Sequence, residues 1–310
     1  MSLRNKRVLV TGGAGFIGSH IIRKLIKYNC DIIVADNFST GVKENLKNLE
    51  VNILNIAVDS KDFIKRIIEY TKGDIDFIFH FGSPSSVILF NEAPEEKFRE
   101  TVSGFINIME LSREINVQKV IYASSGSVYG KSPPPNSEFD IPRPVNLYGI
   151  AKLTCEIIAN YYRDEVKSVG LRIFAGYGPG EDHKGRIASP VTLFLKSILS
   201  DKRPIVYGDG TQSRDFVYID DIVEAIIRSA VRETPPIINV GSGRSYTFNE
   251  VIKIINDMLG KNIKPLYVPK PPKYLEKTQA DITLMKQILE IEPIDLREGL
   301  ARYLKVLNLN

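Results

Sequence analysis

Short apolar runs alternate with helical patterns through the first 240 residues of the chain. Near-continuous apolar runs, rich in valine, isoleucine and phenylalanine, predict strands at residues 8–10, 32–35, 51–58, 77–81, 120–123 and 169–174. Apolar residues three and four positions apart predict helices at residues 15–27, 61–70, 95–115 and 148–166. Strands that are apolar at successive positions are typical of a parallel sheet covered by helices on both faces. We therefore predict an α/β fold with a doubly wound parallel sheet of the Rossmann type.

The rest of the chain is less regular. Proline and glycine cluster in four segments that we interpret as loops, at residues 132–144, 176–185, 208–210 and 264–272. These patterns predict a first domain over residues 1–174, to which the chain returns at about residues 216–240. A smaller C-terminal α/β domain is expected over residues 175–310.

The composition excludes several classes of protein. Of the 310 residues, 43% are hydrophobic and 25% are charged, as in ordinary globular proteins. The net charge of +4 comes from scattered basic residues, so we expect no nucleic-acid partner. The two cysteines, Cys30 and Cys155, and the three histidines form no metal-ligand spacing, so we expect no metal. No apolar run reaches the length of a membrane span, and we expect a cytoplasmic protein with no membrane partner.

A glycine-rich segment, TGGAGFIG at residues 11–18, separates the first strand from the first helix. Gly12, Gly15 and Gly18 allow the backbone to turn tightly and to approach a pyrophosphate at the helix N-terminus. Asp36 ends the second strand, where a carboxylate accepts hydrogen bonds from ribose hydroxyls and repels a 2′-phosphate. Because no arginine follows, NAD is favoured over NADP as the cofactor. The alternative is a tight turn capped by the aspartate.

Two further strand ends carry cofactor candidates. Asp59 follows the third predicted strand, where it either meets the adenine amino group or caps the next helix, and the sequence favours neither reading. The fourth strand ends in Phe81, Gly82 and Ser83, at the edge where a cofactor would lie. We interpret His80 as a sheet residue rather than a metal ligand.

Tyr148 and Lys152 lie four residues apart at the start of a predicted helix and therefore share a face. A lysine ammonium near a phenol favours the phenolate, as does the positive charge of an oxidised nicotinamide, which together predict that the pKa of Tyr148 moves from about 10 toward neutrality. Such a phenolate can take a proton from a substrate hydroxyl while hydride leaves the same carbon. Ser124 and Ser125 end the preceding strand, where a hydroxyl can bond both the substrate oxygen and the tyrosine. The alternative is a surface Tyr/Lys pair with a serine-rich turn.

Six motifs together resemble the extended short-chain dehydrogenase/reductase family, and within it the NAD-dependent nucleotide-sugar epimerases and dehydratases, the UDP-glucose 4-epimerase family most of all. They are TGGAGFIGSH, DNFSTG, SSGSVYG, YGIAK, RIFAGYGPG and GDGTQSRDFVYIDD. The resemblance implies bound NAD, a nucleoside-diphosphate sugar between the domains, and a homodimer built on the helices at 95–115 and 148–166. It implies that Tyr148 is the base, that Lys152 binds the nicotinamide ribose, and that Ser125, rather than Ser124, orients the sugar hydroxyl.

The resemblance also completes the set of expected binding residues. Further cofactor contacts are expected from Phe16, Ile17, Asn37, Ser39, Thr40 and Gly41. Substrate contacts are expected from Ser85, Ser125, Tyr148, Arg186 and Arg214. Arg214 matches an arginine that binds the diphosphate, and its alternative is a surface ion pair with Asp215 or Asp220.

The type of reaction depends on the positions before Val-Tyr-Gly. Related dehydratases and decarboxylases usually carry carboxylates there, whereas this chain has Gly126 and Ser127. We therefore expect a 4-epimerase of the UDP-glucose/UDP-galactose type, with a dehydratase or decarboxylase as the alternative if Glu181 or Asp182 supplies an acid. A non-enzymatic NAD-binding regulatory protein is the alternative outside catalysis.

Two departures from the family pattern concern the nucleotide. Ala175 replaces the usual asparagine, and the usual Arg-Pro-Gly-Asp is replaced near residues 271–274. Lys270, Lys273 or Arg186 could supply the missing contacts. The nucleotide and the sugar are therefore open at this point.

Overall fold

The computed structural model describes residues 2–270 and 275–309. The strands of this part are β1 Arg7–Thr11, β2 Asp31–Asp36, β3 Asn52–Asn55, β4 Phe77–His80, β5 Lys119–Ser125, β6 Ser168–Ile173, β7 Ala175–Tyr177, β8 Ile205–Tyr207, β9 Ser213–Tyr218, β10 Ile237–Val240, β11 Ser245–Thr247 and β12 Leu266–Val268. Its α-helices are α1 Phe16–Ile26, α2 Phe63–Thr71, α3 Val87–Glu92, α4 Pro94–Glu114, α5 Leu147–Tyr161, α6 Pro190–Leu199, α7 Ile219–Val231, α8 Phe248–Leu259, α9 Thr283–Leu289 and α10 Leu296–Val306.

A seven-stranded parallel sheet forms the centre, in the order β10-β6-β5-β4-β1-β2-β3. The order runs outward in both directions from the pair β1 and β4. At such a switch point the loops leave toward opposite faces of the sheet, and the gap between them at the carboxyl ends of the strands is where ligands bind. The predicted doubly wound Rossmann fold is confirmed.

Helices cover both faces of this sheet because its strands are apolar at successive positions. In β1, Val8 and Val10 join a core with α1 and α7, whereas Leu9 joins a second core with α2, α4 and α5. The first core continues into the later part of the chain through α6, α8, α9 and α10. The carboxyl edge of the sheet is therefore held rigidly from both sides.

The later part of the chain adds two small sheets, in the orders β11-β9-β7 and β12-β8. The buried carboxylate of Asp215 joins this region to the end of β10. It accepts hydrogen bonds from the backbone of Ser242, Gly243 and Ala280, at 2.6–3.0 Å. The burial of Asp215 raises its pKa, and these donors offset part of that cost.

Several predicted elements differ from the structure. The strand predicted at 51–58 is only Asn52–Asn55, because β3 is an edge strand whose Ile53 is largely exposed. The helix predicted to reach residue 166 ends at Tyr161, and Val166 is buried from a turn instead. Helix α3 was not predicted, since six residues are too short for a helical period. Strands β7 and β12 lie in segments predicted as loops.

Within the described ranges, no helix has the length and apolarity needed to cross a membrane.

Candidate active site

The turn between β1 and α1 packs against the end of β4 so closely that it requires glycine. Gly12 has φ +68°, and a Cβ there would lie 2.5 Å from the carbonyl oxygen of Phe81. A Cβ on Gly18 would lie 2.1 Å from the carbonyl oxygen of Gly12, and one on Gly82 would lie 2.8 Å from the nitrogen of Gly12. Side chains are excluded at all three positions, which leaves bare backbone where a pyrophosphate would approach.

Asp36 lies buried at the carboxyl end of β2. Its carboxylate accepts hydrogen bonds from the backbone N–H of Ala14 at 2.9 Å and of Phe38 at 2.8 Å. Burial raises the pKa of Asp36, and these two bonds lower it by less. The carboxylate thus stabilises the glycine-rich turn, as expected if the aspartate only caps a tight turn. Since each oxygen can accept more than one hydrogen bond, it also keeps acceptor capacity for ribose hydroxyls.

A cleft of about 370 Å³ opens beside Asp36. Its lining includes the predicted cofactor residues Ser39, Thr40 and Gly41 together with Phe38, Leu89, His183, Lys184 and Arg186. Arg186, which we expected to bind substrate, thus lies in the same cleft as cofactor candidates. It forms an ion pair of 2.5 Å with Glu92 at the end of α3.

The other predicted cofactor residues surround the same turn. Phe16 begins α1 and is buried, and the ammonium of Lys184 lies 5.2 Å from its ring centroid. Ile17 packs at the edge of the core. The Asn37 side-chain oxygen accepts a hydrogen bond from Ser39 N–H at 3.1 Å. Asp59 does not cap α2, since the N-cap residue is Asp62, so that alternative is wrong.

His80 is a buried sheet residue, as predicted, and it organises the end of β4. The N–H of Gly82 donates to the hydroxyl of Thr11, and this hydroxyl forms a second hydrogen bond with Nδ1 of His80, 2.8 Å away. Burial, with a smaller contribution from Lys152, lowers the pKa of His80 to about 3. The ring is therefore neutral. Among the described residues, no cluster of three histidine, cysteine or acidic side chains could hold a metal.

Lys152 reaches from α5 to the ends of β4 and β5. Its ammonium donates hydrogen bonds to Oγ of Ser83 at 2.7 Å and to the carbonyl of Ala123 at 3.0 Å. The nitrogen lies 5.9 Å from the ring centroid of Tyr148. Burial lowers the pKa of Lys152. Three of the predicted residues, Ser83, Tyr148 and Lys152, are thus neighbours at the switch point of the sheet.

Tyr148 lies in the first turn of α5, which begins because the side chain of Asn146 accepts a hydrogen bond from Gly149 N–H at 2.9 Å. Its ring contacts that of Phe90 edge-on, with centroids 5.6 Å apart. A hydrogen bond with Ser125 lowers the pKa of Tyr148, but burial raises it by more. The protein's own groups therefore do not move this pKa toward neutrality, and the contribution expected from an oxidised nicotinamide stays a prediction. At 5.9 Å from the ring, the buried ammonium does not offset the loss of water around the phenol.

The two serines at the end of β5 have different partners. Ser124 donates a hydrogen bond to Glu156 at 2.5 Å, and both side chains are buried. Ser125 accepts one from Ser127 N–H at 3.1 Å and pairs with Tyr148. The structure thus brings Ser125, and not Ser124, to the tyrosine.

The two acids that could have changed the reaction are engaged elsewhere. Glu181 is fully buried and accepts hydrogen bonds from the ammonium of Lys184 at 2.7 Å and the hydroxyl of Thr192 at 2.6 Å. It also caps α6 by accepting from Ser189 N–H. Asp182 forms an ion pair with Lys196. Both carboxylates therefore hold the loop before α6.

Arg214, the residue expected to bind the diphosphate, contacts the chain near residue 276. Arg214 donates to the carbonyls of Ser213 at 2.8 Å and Leu275 at 2.7 Å, and lies over the ring of Phe248. The alternative expectation for Arg214, a surface ion pair with Asp215 or Asp220, is wrong. Asp215 accepts the backbone hydrogen bonds described above. Asp220 lies 4.0 Å from Arg302.

The remaining substrate candidates are less enclosed. Lys270 forms an ion pair with Glu276 at 2.8 Å. Ser85 is exposed next to α3. The expectation for Lys273 falls outside the described residues. Ala175 begins β7, opposite Phe216 of β9.

Two residues of the site were missed from the sequence. Phe90 lacked any signal, since nothing local shows that α3 folds over Tyr148. Glu156 had a signal, because it lies four residues after Lys152 and eight after Tyr148, on the same helix face.

Comparisons with known proteins agree with this geometry. The NAD dependent epimerase/dehydratase family matches residues 8–241. A crystal structure of UDP-glucose 4-epimerase with UDP-glucose, from Thermotoga maritima, is 31% identical, with a TM-score of 0.92 over 97% of this chain and 98% of that one. UDP-glucuronate 4-epimerase of Thermodesulfobacterium geofontis is 32% identical over 95% of this chain and 94% of its own. UDP-glucuronic acid decarboxylase 4 of Arabidopsis thaliana is 31% identical over 96% and 68%, respectively.

The chain belongs to the NAD-dependent epimerase/dehydratase family. It is an enzyme that uses NAD, of the nucleotide-sugar epimerase/dehydratase type. Its relatives include both epimerases and decarboxylases.

Replacing Asp36 with asparagine should reduce the preference for NAD over NADP. The carboxylate charge that repels a 2′-phosphate is lost, and hydrogen bonds to a charged group are worth about 1.5–3 kcal/mol, or 10- to 150-fold in affinity. Isothermal titration with both cofactors measures this. The matched control is Asp31→Asn, at the opposite end of β2. Tight NADP binding by the unchanged protein would contradict the assignment.

Proposed function

We propose that the protein is a nucleotide-sugar 4-epimerase of the UDP-glucose/UDP-galactose type. The observation that carries this is the group of Tyr148, Ser125 and Lys152 at the sheet edge, followed by a 3-10 turn, Gly126–Val128, that contains no acid. The group suits reversible oxidation of a secondary alcohol. The absence of a carboxylate in that turn favours simple return of the hydride over elimination or decarboxylation.

Each residue has a separate part in this mechanism. Ser125 orients the C4 hydroxyl of the sugar toward Tyr148, which accepts its proton as the C4–H bond breaks. Lys152, anchored on Ser83 and the carbonyl of Ala123, binds the nicotinamide ribose and provides positive charge near the phenolate. NAD⁺, when bound, would supply a hydride acceptor at C4 that can also return the hydride. The ketone turns within the site before hydride returns to its other face, and Tyr148 gives the proton back, which inverts C4.

The cofactor and the substrate would occupy different parts of the chain. We assign the NAD-binding domain to residues 1–174 together with the segment at about 216–240, and the nucleotide-sugar-binding domain to the remainder of residues 175–310, with the sugar itself reaching Ser125 and Tyr148 of the first domain. Asp36 and the backbone around Gly12 and Gly82 fit the adenosine ribose and pyrophosphate. Arg214 is our candidate for the diphosphate of the sugar nucleotide, since its guanidinium lies at the segment near residue 276.

The experiment that tests the function is an assay of the purified protein against UDP-, dTDP- and GDP-sugars, with separation of the products. We expect interconversion of UDP-glucose and UDP-galactose without added NADH, because hydride leaves and returns within one site. The Tyr148→Phe variant is the control for contaminating activity. A 4-keto-6-deoxy sugar would show a dehydratase instead, and a pentose from UDP-glucuronate a decarboxylase. Cofactor binding with no turnover of any sugar would favour the non-enzymatic alternative.

We also propose that the protein is a homodimer that pairs through α4 and α5. The two helices pack side by side and present apolar side chains to solvent. Ile106 on α4 is 39% exposed, and Ile157 and Tyr161 on α5 are 62% and 78% exposed. Exposed apolar side chains on two packed helices are typical of an interface between subunits.

Replacing Ile157 with glutamate should therefore convert the dimer into a monomer, because two carboxylates would be buried at a twofold contact. Light scattering after size-exclusion chromatography gives the mass directly. The control is Val306→Glu, a comparably exposed aliphatic residue on α10. A monomeric unchanged protein, or a dimeric Ile157→Glu variant, would contradict this arrangement.

A further inference from the structure

A buried ion pair lies directly behind the catalytic residues. Glu156 on α5 and Arg172 on β6 meet as a fork, with Nε to Oε1 at 2.9 Å and Nη2 to Oε2 at 2.7 Å. Their side chains are only 7% and 5% exposed. Apolar side chains of similar volume often stabilise a core as well as a buried ion pair does. Stability alone therefore gives no reason for these two charges, and their position is the more informative feature.

Glu156 connects two of the segments that carry the site. It lies one helical turn after Lys152 and two turns after Tyr148, on the same face of α5. Its Oε1 also accepts the hydrogen bond from Ser124, the residue that precedes Ser125 on β5. One carboxylate thus joins the helix of the base to the strand of the orienting serine.

Arg172 extends the network to the other side of Ser125. It lies directly opposite Ser124 in the register of β5 and β6. Its Nη1 donates to the hydroxyl of Tyr129 at 2.9 Å, and that hydroxyl donates to Asn239 on β10 at 2.7 Å. Tyr129 follows the turn that Ser125 begins. The chain is therefore anchored both before and after Ser125.

We propose that Glu156 and Arg172 are positioning residues, which hold α5 against the carboxyl end of β5 and so set the hydrogen bond between Ser125 and Tyr148. Successive side chains of a strand point to opposite faces. Anchoring Ser124 on Glu156 therefore fixes the orientation of the next residue, Ser125, which pairs with Tyr148. The effect on turnover rests on the proposed function, whereas the Ser125–Tyr148 contact can be measured without it.

The test uses two substitutions and a matched control. Glu156→Gln keeps the size of the side chain and one acceptor but removes the charge of the fork. Ser124→Ala removes only the hydroxyl link. The control is Asp76→Asn, because Asp76 also joins three chain segments, through Lys6, Arg7 and Gln118, but at the amino ends of the strands.

We expect Glu156→Gln to lower kcat by about 10- to 100-fold, the cost of a small misplacement of reacting groups, with KM and NAD affinity within about twofold. Ser124→Ala should lower kcat by about two- to tenfold, less than Glu156→Gln, because one hydrogen bond is lost while the ion pair between Glu156 and Arg172 remains. Asp76→Asn should lower the melting temperature without changing kcat. If the role of Glu156 is purely structural, Glu156→Gln should change kcat no more than Asp76→Asn does when the two variants are compared at equal stability.

A second readout follows the phenol itself. The Ser125 hydrogen bond lowers the pKa of Tyr148, so misplacing Ser125 should raise that pKa. Near-ultraviolet absorbance records phenolate formation with pH, and subtracting the same titration with Tyr148→Phe isolates this tyrosine. The groups that face it are the ammonium of Lys152, the hydroxyl of Ser125 and the apolar ring of Phe90. The pKa should rise in Glu156→Gln and stay the same in Asp76→Asn.

The outcomes separate this inference from the proposed function. An unchanged kcat and an unchanged Tyr148 titration in Glu156→Gln overturn the positioning role. If that variant does not fold, the same two results in Ser124→Ala overturn it. Full activity of the double variant Glu156→Leu/Arg172→Met also overturns the positioning role. A loss of activity in Glu156→Gln would then come from the unpaired charge of Arg172. If the unchanged protein acts on no nucleotide sugar, the proposed function fails, and the titration still decides the positioning role.

Discussion

The Tyr148→Phe variant should lose turnover while it keeps bound NAD. Only the phenolic oxygen is removed, and with it both the proton acceptor and the partner of Ser125. Loss of a general base lowers rates by about 10²- to 10⁴-fold. The phenyl ring still packs against Phe90, so the fold should be preserved. Steady-state turnover and the amount of NAD that copurifies with the protein measure the two effects separately.

The pH dependence provides an independent check on Tyr148. Burial raises the pKa of this phenol, so the protonated form predominates at neutral pH, and the reactive phenolate increases as the pH rises. The rate of the unchanged enzyme should therefore increase with pH until Tyr148 has ionised. The residual rate of Tyr148→Phe should lack that increase. Near-normal turnover of the variant would mean that another group is the base.

The Lys152→Met variant should lose both turnover and cofactor affinity. Methionine fills similar space, but it cannot donate to Ser83 or to the carbonyl of Ala123, and it carries no charge near the phenol. Removal of the charge should lower turnover by at least about 100-fold, since the phenolate is then less favoured. NAD should bind about 10- to 150-fold more weakly if one charged hydrogen bond to the ribose is lost.

Titration calorimetry with NAD and turnover at saturating NAD separate these two losses. The matched control is Lys119→Met. Lys119 is another buried lysine, at the amino end of β5, and its ammonium donates to the carbonyl of Arg232 and the hydroxyl of Thr234. Its substitution should leave NAD affinity unchanged. If Lys152→Met binds NAD with unaltered affinity, Lys152 does not contact the cofactor.

The sequence predicts those parts of the fold whose residues repeat a local pattern. Strands β1, β2, β4, β5 and β6 are buried on both faces, so apolar residues follow one another without alternation and the parallel sheet can be recognised. Where an element is exposed or very short, as in β3 and α3, the local pattern is absent. The same reasoning explains why β7, β12 and their small sheets were missed, since three residues cannot show a period.

For the candidate site too, local sequence spacing predicts some features and distant residues decide the others. The glycines near Gly12 and the pair Tyr148 and Lys152 lie close together in sequence, so spacing alone can predict them. The pKa of Tyr148 could not be predicted, because burial by Phe90 and other distant residues decides its direction. The hydrogen bond from Arg214 to Leu275 could not be predicted either, since that carbonyl lies about 60 residues further along the chain.

Strand β10 joins the edge of the central sheet beside β6, although more than 60 residues separate the two in the chain. Because synthesis proceeds from the N-terminus, residues 1–174 leave the ribosome before the strand that completes their sheet. Until β10 arrives, the outer edge of β6 has unpaired backbone groups, and the apolar side of α1 lacks α7. Residues 1–174 therefore cannot complete their sheet as an independent early unit, and its final assembly must wait for translation to pass residue 240.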